Sequence, residues 1–354
     1  KLFDVAYVDG RAQFTGLTRT GVFQTLDIAS AFENPLEVEF AICAFGTGYG
    51  ATGLMHWSRV GGHAQAVSNP LTLSLNYVMI PVYHTGGEVQ IRYSFANTFP
   101  TNIAINVIGY IGYGFVKKIN NGDTIVPFTN NAYRTNTVPD IETGDSGKIE
   151  CVVINWAGQE NILPGAKASL FALRAVGAAD TRRYQSYGQF IFRFIPVDVN
   201  NQFEYYRGTN VTNLAGNAFY AGYIKKGMGF VAQESTAATD TDPLDANEVI
   251  DYSSATADNA YQIFTWMHNN NTSGFSVGGI IGHDHEDVAN TWTNNFVFWR
   301  QFKNSFAALH DGKATQYQTD ANMDIWHEGY TEKQSLINSK GAIINAKGAI
   351  INAK

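Results

Sequence analysis

The sequence predicts an all-β protein: three tandem antiparallel β-sandwich domains, Ig-like or jelly-roll-like, related by internal repetition, and a short periodic C-terminal tail. Three observations carry that expectation. A Gly-Tyr step closes an apolar run at Gly109-Tyr110, Gly222-Tyr223 and Gly329-Tyr330, a spacing of about 110 residues that marks repeated units. Runs of β-branched and aromatic residues recur roughly every 8–15 residues between clusters of Gly, Asn and Pro, as in antiparallel sandwiches. No window of comparable length keeps a helical apolar period.

The first copy, 1–117, has strand-forming runs at 37–45, 53–60, 71–83, 89–95 and 102–111, separated by turn signals such as Gly61-Gly62 and Thr85-Gly86-Gly87. The second, 118–232, repeats the plan at 148–155, 168–176, 189–199, 202–207 and 217–224. The third, 233–333, follows with 261–268, 275–281, 295–302, 314–318 and 323–326. A second anchor precedes each Gly-Tyr step: Met79-Ile80-Pro81-Val82, Phe194-Ile195-Pro196-Val197 and, without the proline, Arg300-Gln301-Phe302-Lys303. Leu26-Asp27-Ile28, Pro139-Asp140-Ile141 and Ile250-Asp251-Tyr252 complete the register, each acid expected in an Asx-type turn beside a strand start.

Period-two burial places Phe190, Phe192 and Phe194 on one face of a strand, and Phe296 with Phe298 is expected to repeat that core layer in the third copy. The glycine of the Gly-Tyr step suits a bulge or a turn, and the tyrosine is expected to lay its ring on the sandwich edge with its hydroxyl bonded to backbone. The step therefore reads as architecture.

Composition points to surfaces that meet other surfaces. Apolar residues make up 45% of the 354 residues and charged ones only 16%, so Asn, Thr, Ser, Gln and Gly must supply much of the polar exterior. Neutral amides and hydroxyls are cheaper to desolvate than charges, which suits packing against other copies or against sugars. A net charge of −7 without a basic stripe argues against nucleic acid and anionic membranes as partners. No apolar stretch of about 18 residues is present, so no membrane insertion is expected. The chain starts at Lys1 without a signal segment, as a processed product or a fragment would. Cys43 and Cys151 fall at comparable places in copies one and two and are not expected to pair.

Special chemistry is sought where the copies differ. His283-Asp284-His285-Glu286-Asp287 offers His283, His285 and Asp287 as divalent metal ligands, zinc by ligand type, since His-x-His on a strand points both rings to one side. In the acidic linker 234–248, Asp240, Asp242 and Asp245 supply oxygen ligands of the kind calcium takes, although Pro243 and the absence of an EF-hand glycine break the loop pattern. The tail, 334–354, repeats a seven-residue unit whose Ile343, Ile344, Ile350 and Ile351 are expected to drive self-assembly. Three readings fit it: a helical heptad bundle, an extended arm added to a neighbouring sheet, or a disordered end.

No nucleophile elbow, phosphate-cradling loop or zinc-protease motif occurs, and no cofactor is implied. The expectation is thus a non-enzymatic structural assembly protein. It is a virion component of a prokaryotic virus, capsid-associated or part of a tail or fibre, or an extracellular filament subunit, with itself and other virion or surface proteins as partners. The alternative is a glycan-binding adhesin at the cell surface, with Trp156, Trp292, Tyr184 or Tyr187 stacking on sugars.

Overall fold

A computed structural model describes residues 3–4, 12–46, 54–58, 65–68, 76–95, 104–112, 116–118, 124–125, 132–157, 169–179, 184–186, 190–207, 217–233, 248–269, 275–281, 295–298, 302–309, 312–318, 323–332, 336–337, 343–344 and 350–351. The protein is mostly β, arranged in several small antiparallel sheets. Among the described residues the helical pieces are two 3-10 turns, Ala29–Ala31 and Pro35–Glu37.

The first segment contains β1 (Phe3–Asp4), β2 (Ala12–Phe14), β3 (Gln24–Asp27), β4 (Val38–Gly46), β5 (Leu54–Ser58), β6 (Gln65–Ser68), β7 (Asn76–Pro81), β8 (Tyr83–Thr85), β9 (Glu88–Phe95) and β10 (Ala104–Gly112). The second contains β11 (Val116–Lys118), β12 (Thr124–Ile125), β13 (Tyr133–Thr137), β14 (Ile149–Ala157), β15 (Ser169–Ala175), β16 (Tyr184–Ser186), β17 (Phe190–Pro196), β18 (Gln202–Arg207) and β19 (Asn217–Lys225). The third contains β20 (Phe230–Ala232), β21 (Glu248–Asp251), β22 (Ala260–Asn269), β23 (Phe275–Ile281), β24 (Asn295–Phe298), β25 (Phe302–Ala308), β26 (Lys313–Gln318) and β27 (Met323–Glu332). The tail holds β28 (Leu336–Ile337), β29 (Ile343–Ile344) and β30 (Ile350–Ile351).

Each segment forms two sheets with the same strand orders. The first pairs β1-β10-β4-β7, with β2 also on β10, and β3-β9-β5-β6, with β8 on β9. The second pairs β11-β19-β14-β17, with β12 also on β19, and β13-β18-β15-β16; the third pairs β20-β27-β22-β25 and β21-β26-β23-β24. In the third segment, where each position is filled by one strand, the orders are first-eighth-third-sixth and second-seventh-fourth-fifth.

The Gly-Tyr step sits at an irregularity that recurs in all three. The ladder skips one residue on β10 beside Gly109, on β19 beside Gly222 and on β27 beside Gly329, leaving Ile108, Ala221 and Glu328 unpaired opposite β4, β14 and β22. The glycines then pair with Ile42, Val153 and Phe264, and the tyrosines with Ala41, Val152 and Ile263. All three rings are buried in the core of their own segment, not laid on a sheet edge. Tyr223 accepts a hydrogen bond from the Glu142 backbone N–H at 3.1 Å and donates one to Asp145 at 3.0 Å. Tyr330 takes a hydrogen bond from the Ala257 backbone, and Tyr110 packs edge-on against Phe32 at 5.3 Å. In each case the ring holds the connection between the second and third strand positions.

This register corrects the third anchor, the aromatic layer expected of Phe296 and Phe298, and the cysteine placement. Pro81 and Pro196 pair with Phe40 and Cys151, and the matching partner of Gln262 is Ala308, so the third anchor is Phe306-Ala307-Ala308-Leu309 and not Arg300-Gln301-Phe302-Lys303. The backbone N–H groups of Val82, Val197 and Leu309 donate to the carbonyls of Glu39, Glu150 and Tyr261 at 3.0, 3.3 and 2.8 Å, the same bond in each segment. Phe296 and Phe298 belong to β24, in the other sheet, and do not match β17; a period-two aromatic pattern fixes a face but not a sheet. Cys43 aligns with Ile154, whereas Cys151 aligns with Phe40; both thiols are free.

The acids behave unequally. Asp27 accepts from the backbone N–H groups of Ala29 and Val89, and Asp251 from that of Ser253, each at the end of its strand and not at the start. Asp140, three residues beyond β13, instead adopts a left-handed φ of 52°.

Candidate functional site

Apolar residues on β4, β7, β10, β14, β17, β19, β20 and β22 meet in a core that belongs to no single segment. Its members include Phe40, Ile42 and Met79 from the first, Cys151, Val153 and Phe194 from the second, and Phe230 and Phe264 from the third. Period-two alternation explains how the strands serve two cores at once. On β4, Ala41 and Cys43 face the first segment's own core while Phe40 and Ile42 face the shared one; on β14, Val152 and Ile154 face inward while Cys151 and Val153 face the shared core. Such strands read as unbroken apolar runs because both faces are covered. The sixth-position strands β7, β17 and β25 contact one another around this core.

Aromatic packing closes the centre. Phe194 lies 4.7 Å from Phe230 and 5.1 Å from Phe264, ring centroid to centroid, and Phe230 lies 5.7 Å from Phe264. Pairs of this geometry add about 0.5–1.5 kcal/mol each beyond their burial. Gly329 is required beneath them: a Cβ there would stand 2.6 Å from the Val231 carbonyl oxygen and 2.7 Å from Phe230 Cζ.

Two buried polar devices cross between segments. Asn155, 1% exposed on β14, donates its amide to the Met79 carbonyl at 2.8 Å and accepts from the Met79 backbone N–H at 3.3 Å. One side-chain amide thus imitates a strand's donor–acceptor pair on β7. Arg193 on β17 and Glu328 on β27, 3% and 1% exposed, form an ion pair between the second and third segments. Beside it the Ala232 backbone N–H donates to Glu150 at 3.1 Å. Burial, with a contribution from Glu150, pushes the Cys151 thiol well above its ordinary range, so it stays protonated and unreactive.

The residues singled out from sequence are not brought to this place. His283, His285 and Asp287, the acids Asp240, Asp242 and Asp245, and Trp292 and Tyr187 lie outside the described residues. Among the described residues no group of three His, Cys, Asp or Glu side chains is placed to hold a metal ion. Trp156 lies on β14 and Tyr184 on β16. Ile343, Ile344, Ile350 and Ile351 form β29 and β30, with Leu336 paired to Ile344, Ile337 to Ile343, Ile343 to Ile351 and Ile344 to Ile350. These residues are extended and pair with one another in a three-stranded antiparallel sheet of their own, β28-β29-β30.

Sequence reading missed Asn155, Arg193 and Glu328. A signal existed: each of the first two interrupts a run that is otherwise apolar, Val152-Val153-Ile154-Asn155-Trp156 and Phe192-Arg193-Phe194. No protein-family model matches the chain, and no curated protein matches it significantly.

Proposed function

We propose that the chain is a non-enzymatic structural assembly protein of a virus particle, built from three tandem jelly-roll β-sandwiches closed around one core. Two four-stranded sheets in the orders first-eighth-third-sixth and second-seventh-fourth-fifth describe a jelly roll, the architecture of many viral capsid and lectin domains. The observation that carries the reading is the shared core. Catalytic and sugar-binding sites are concave and reachable by solutes. Here the place where the three units converge is filled by Phe40, Met79, Phe194, Phe230 and Phe264, which makes it a joint and not a pocket.

One chain then presents three similar units around a single joint, a triangular tile whose outward faces can meet further copies in three directions. Closed shells are built from such repeated contacts. The low charge content and neutral-polar surface suit lateral packing, and the tail supports it as well: β28 and β30 each keep one strand edge to which the same unit from another copy can add.

Electron microscopy and light scattering on the purified full chain test the reading. Large regular particles are expected, and deleting 334–354 should reduce their size or yield. A monomer indifferent to that deletion overturns the proposal, and glycan-array binding by such a monomer, lost in Trp292→Ala, would establish the adhesin in its place.

A further inference from the structure

We propose that the buried Arg193–Glu328 ion pair selects which unit docks against which, setting the second unit's β17 against the third unit's β27 and rejecting joints of like second or like third units. The inference rests on reading the chain as three equivalent units. Wherever a shell gathers many copies, the competitors for a joint are like units of neighbouring chains: three second units, or three third units, meeting in place of the mixed set. Apolar packing discriminates poorly among them, because Phe40, Ile42 and Met79, their counterparts Cys151, Val153 and Phe194, and Phe264 and Phe306 are nearly all hydrophobic.

The ion pair does discriminate, because each of its charges occurs once in three matched positions. In register, Arg193 corresponds to Val78 and Ser305, and Glu328 to Ile108 and Ala221. Asn155 corresponds to Ala44 and Trp266. A joint of three second units would set Arg193 against Ala221, and one of three third units would set Glu328 against Ser305. Either arrangement buries a charge with no counterion; the Asn155 amide bonds backbone atoms of the facing strand that every unit offers, so the selection falls on the ion pair. A buried unpaired charge is among the most costly defects a protein interior can hold, so the wrong joints are rejected even where their apolar surfaces fit.

Cys151 supplies a reporter. It lies in the shared core, and its counterparts in the other units are Phe40 and Gln262, so a mixed joint holds one such thiol and a joint of like second units holds several. Full-length chains are refolded together, treated with a short bifunctional maleimide during refolding, and scored for Cys151-to-Cys151 interchain product by peptide mass spectrometry. The volume-conserving pair Arg193→Met with Glu328→Leu is expected to fold and to raise that product about tenfold, the change that a loss of roughly 1.4 kcal/mol of discrimination gives. The reversed pair Arg193→Glu with Glu328→Arg keeps the selection and should stay at the wild-type level. Product at the wild-type level in the apolar pair overturns the proposal, as does failure of that pair to fold, because the ion pair then stabilises and does not select. Equal product in the reversed and apolar pairs overturns it as well. The readout needs only two chains in contact, so it is decided separately from whether regular particles form.

Discussion

The three cores inside the segments and the core between them solve the same packing problem with different residues. Each internal core contains the tyrosine of a Gly-Tyr step, Tyr110, Tyr223 or Tyr330, whereas among the described side chains the shared core is made of phenylalanine, methionine, cysteine and aliphatics. The difference follows from where hydrogen-bond partners are available. Inside a segment a connecting loop runs past the ring and offers backbone or carboxylate to its hydroxyl, as Glu142 and Asp145 do for Tyr223. Between segments, sheet faces meet, and the backbone groups within those sheets are spent in ladders, so only a sheet edge such as β7 still offers them. A hydroxyl away from such an edge would be buried without a partner, at a cost of about 1–3 kcal/mol. Polar groups enter the shared core only when they bring a partner: Arg193 with Glu328, and Asn155 with the free edge of β7.

The comparison breaks most visibly at the ion pair. Glu328→Leu alone leaves Arg193 buried and uncompensated, and the expected loss of stability is about 3–5 kcal/mol, measured by urea unfolding. Arg193→Met alone should cost a similar amount for the mirror reason. The apolar double replacement should recover most of it, since two well-packed hydrophobic groups commonly stabilise as well as a buried pair. A single variant with wild-type stability would show that the pair is not buried as a unit.

A smaller effect is expected at Gly329→Ala. The methyl would fall 2.6 Å from the Val231 carbonyl oxygen, 2.7 Å from Phe230 Cζ and 3.3 Å from Ala232 Cα, so β20 would have to move as a whole. Overpacking of this kind costs about 1–3 kcal/mol. Because β20 carries Phe230 into the shared core, the variant should also speed alkylation of Cys151 under native conditions, and unchanged labelling would show that β20 can shift without opening the joint.

These residues show what a single sequence exposes. The Gly-Tyr step and the Met79-Ile80-Pro81-Val82 anchor are legible because similar runs recur at similar intervals, and in all three segments the step falls at the same ladder irregularity. Phe296 and Phe298 on β24 imitate the aromatic alternation of β17, which points the third anchor to Arg300-Gln301-Phe302-Lys303 instead of to Phe306-Ala307-Ala308-Leu309. Side-chain alternation reports which face a residue takes, not which sheet its strand joins. Asn155 and Arg193 stayed hidden for a related reason. A polar residue within a strand reads as solvent-facing unless a second sheet is known to cover it, and the covering residues lie far off in sequence: Met79 is 76 positions from Asn155. The isoleucine repeat of the tail satisfied helical and extended periods equally, and only the pairing of Ile343 with Ile351 separates them.

The smallest effect tests the internal cores. Tyr223→Phe keeps the ring and removes a hydroxyl that bonds the Glu142 backbone and Asp145, for an expected loss of about 1–2 kcal/mol at neutral pH. Burial pushes the Tyr223 hydroxyl from its ordinary 10 up to about 12. A group held in its protonated form by the fold binds its proton more tightly folded than unfolded. Its contribution is therefore complete below pH 10 and drains away as pH rises from 10 to 12. The wild type should lose stability over that interval by a route closed to the phenylalanine variant, so the gap between their urea midpoints should be constant up to about pH 9 and narrow above it. A gap that stays constant to pH 11 would mean that burial does not hold the hydroxyl in its protonated form, and the distinction between the tyrosine-pegged internal cores and the core between them would then rest on packing alone.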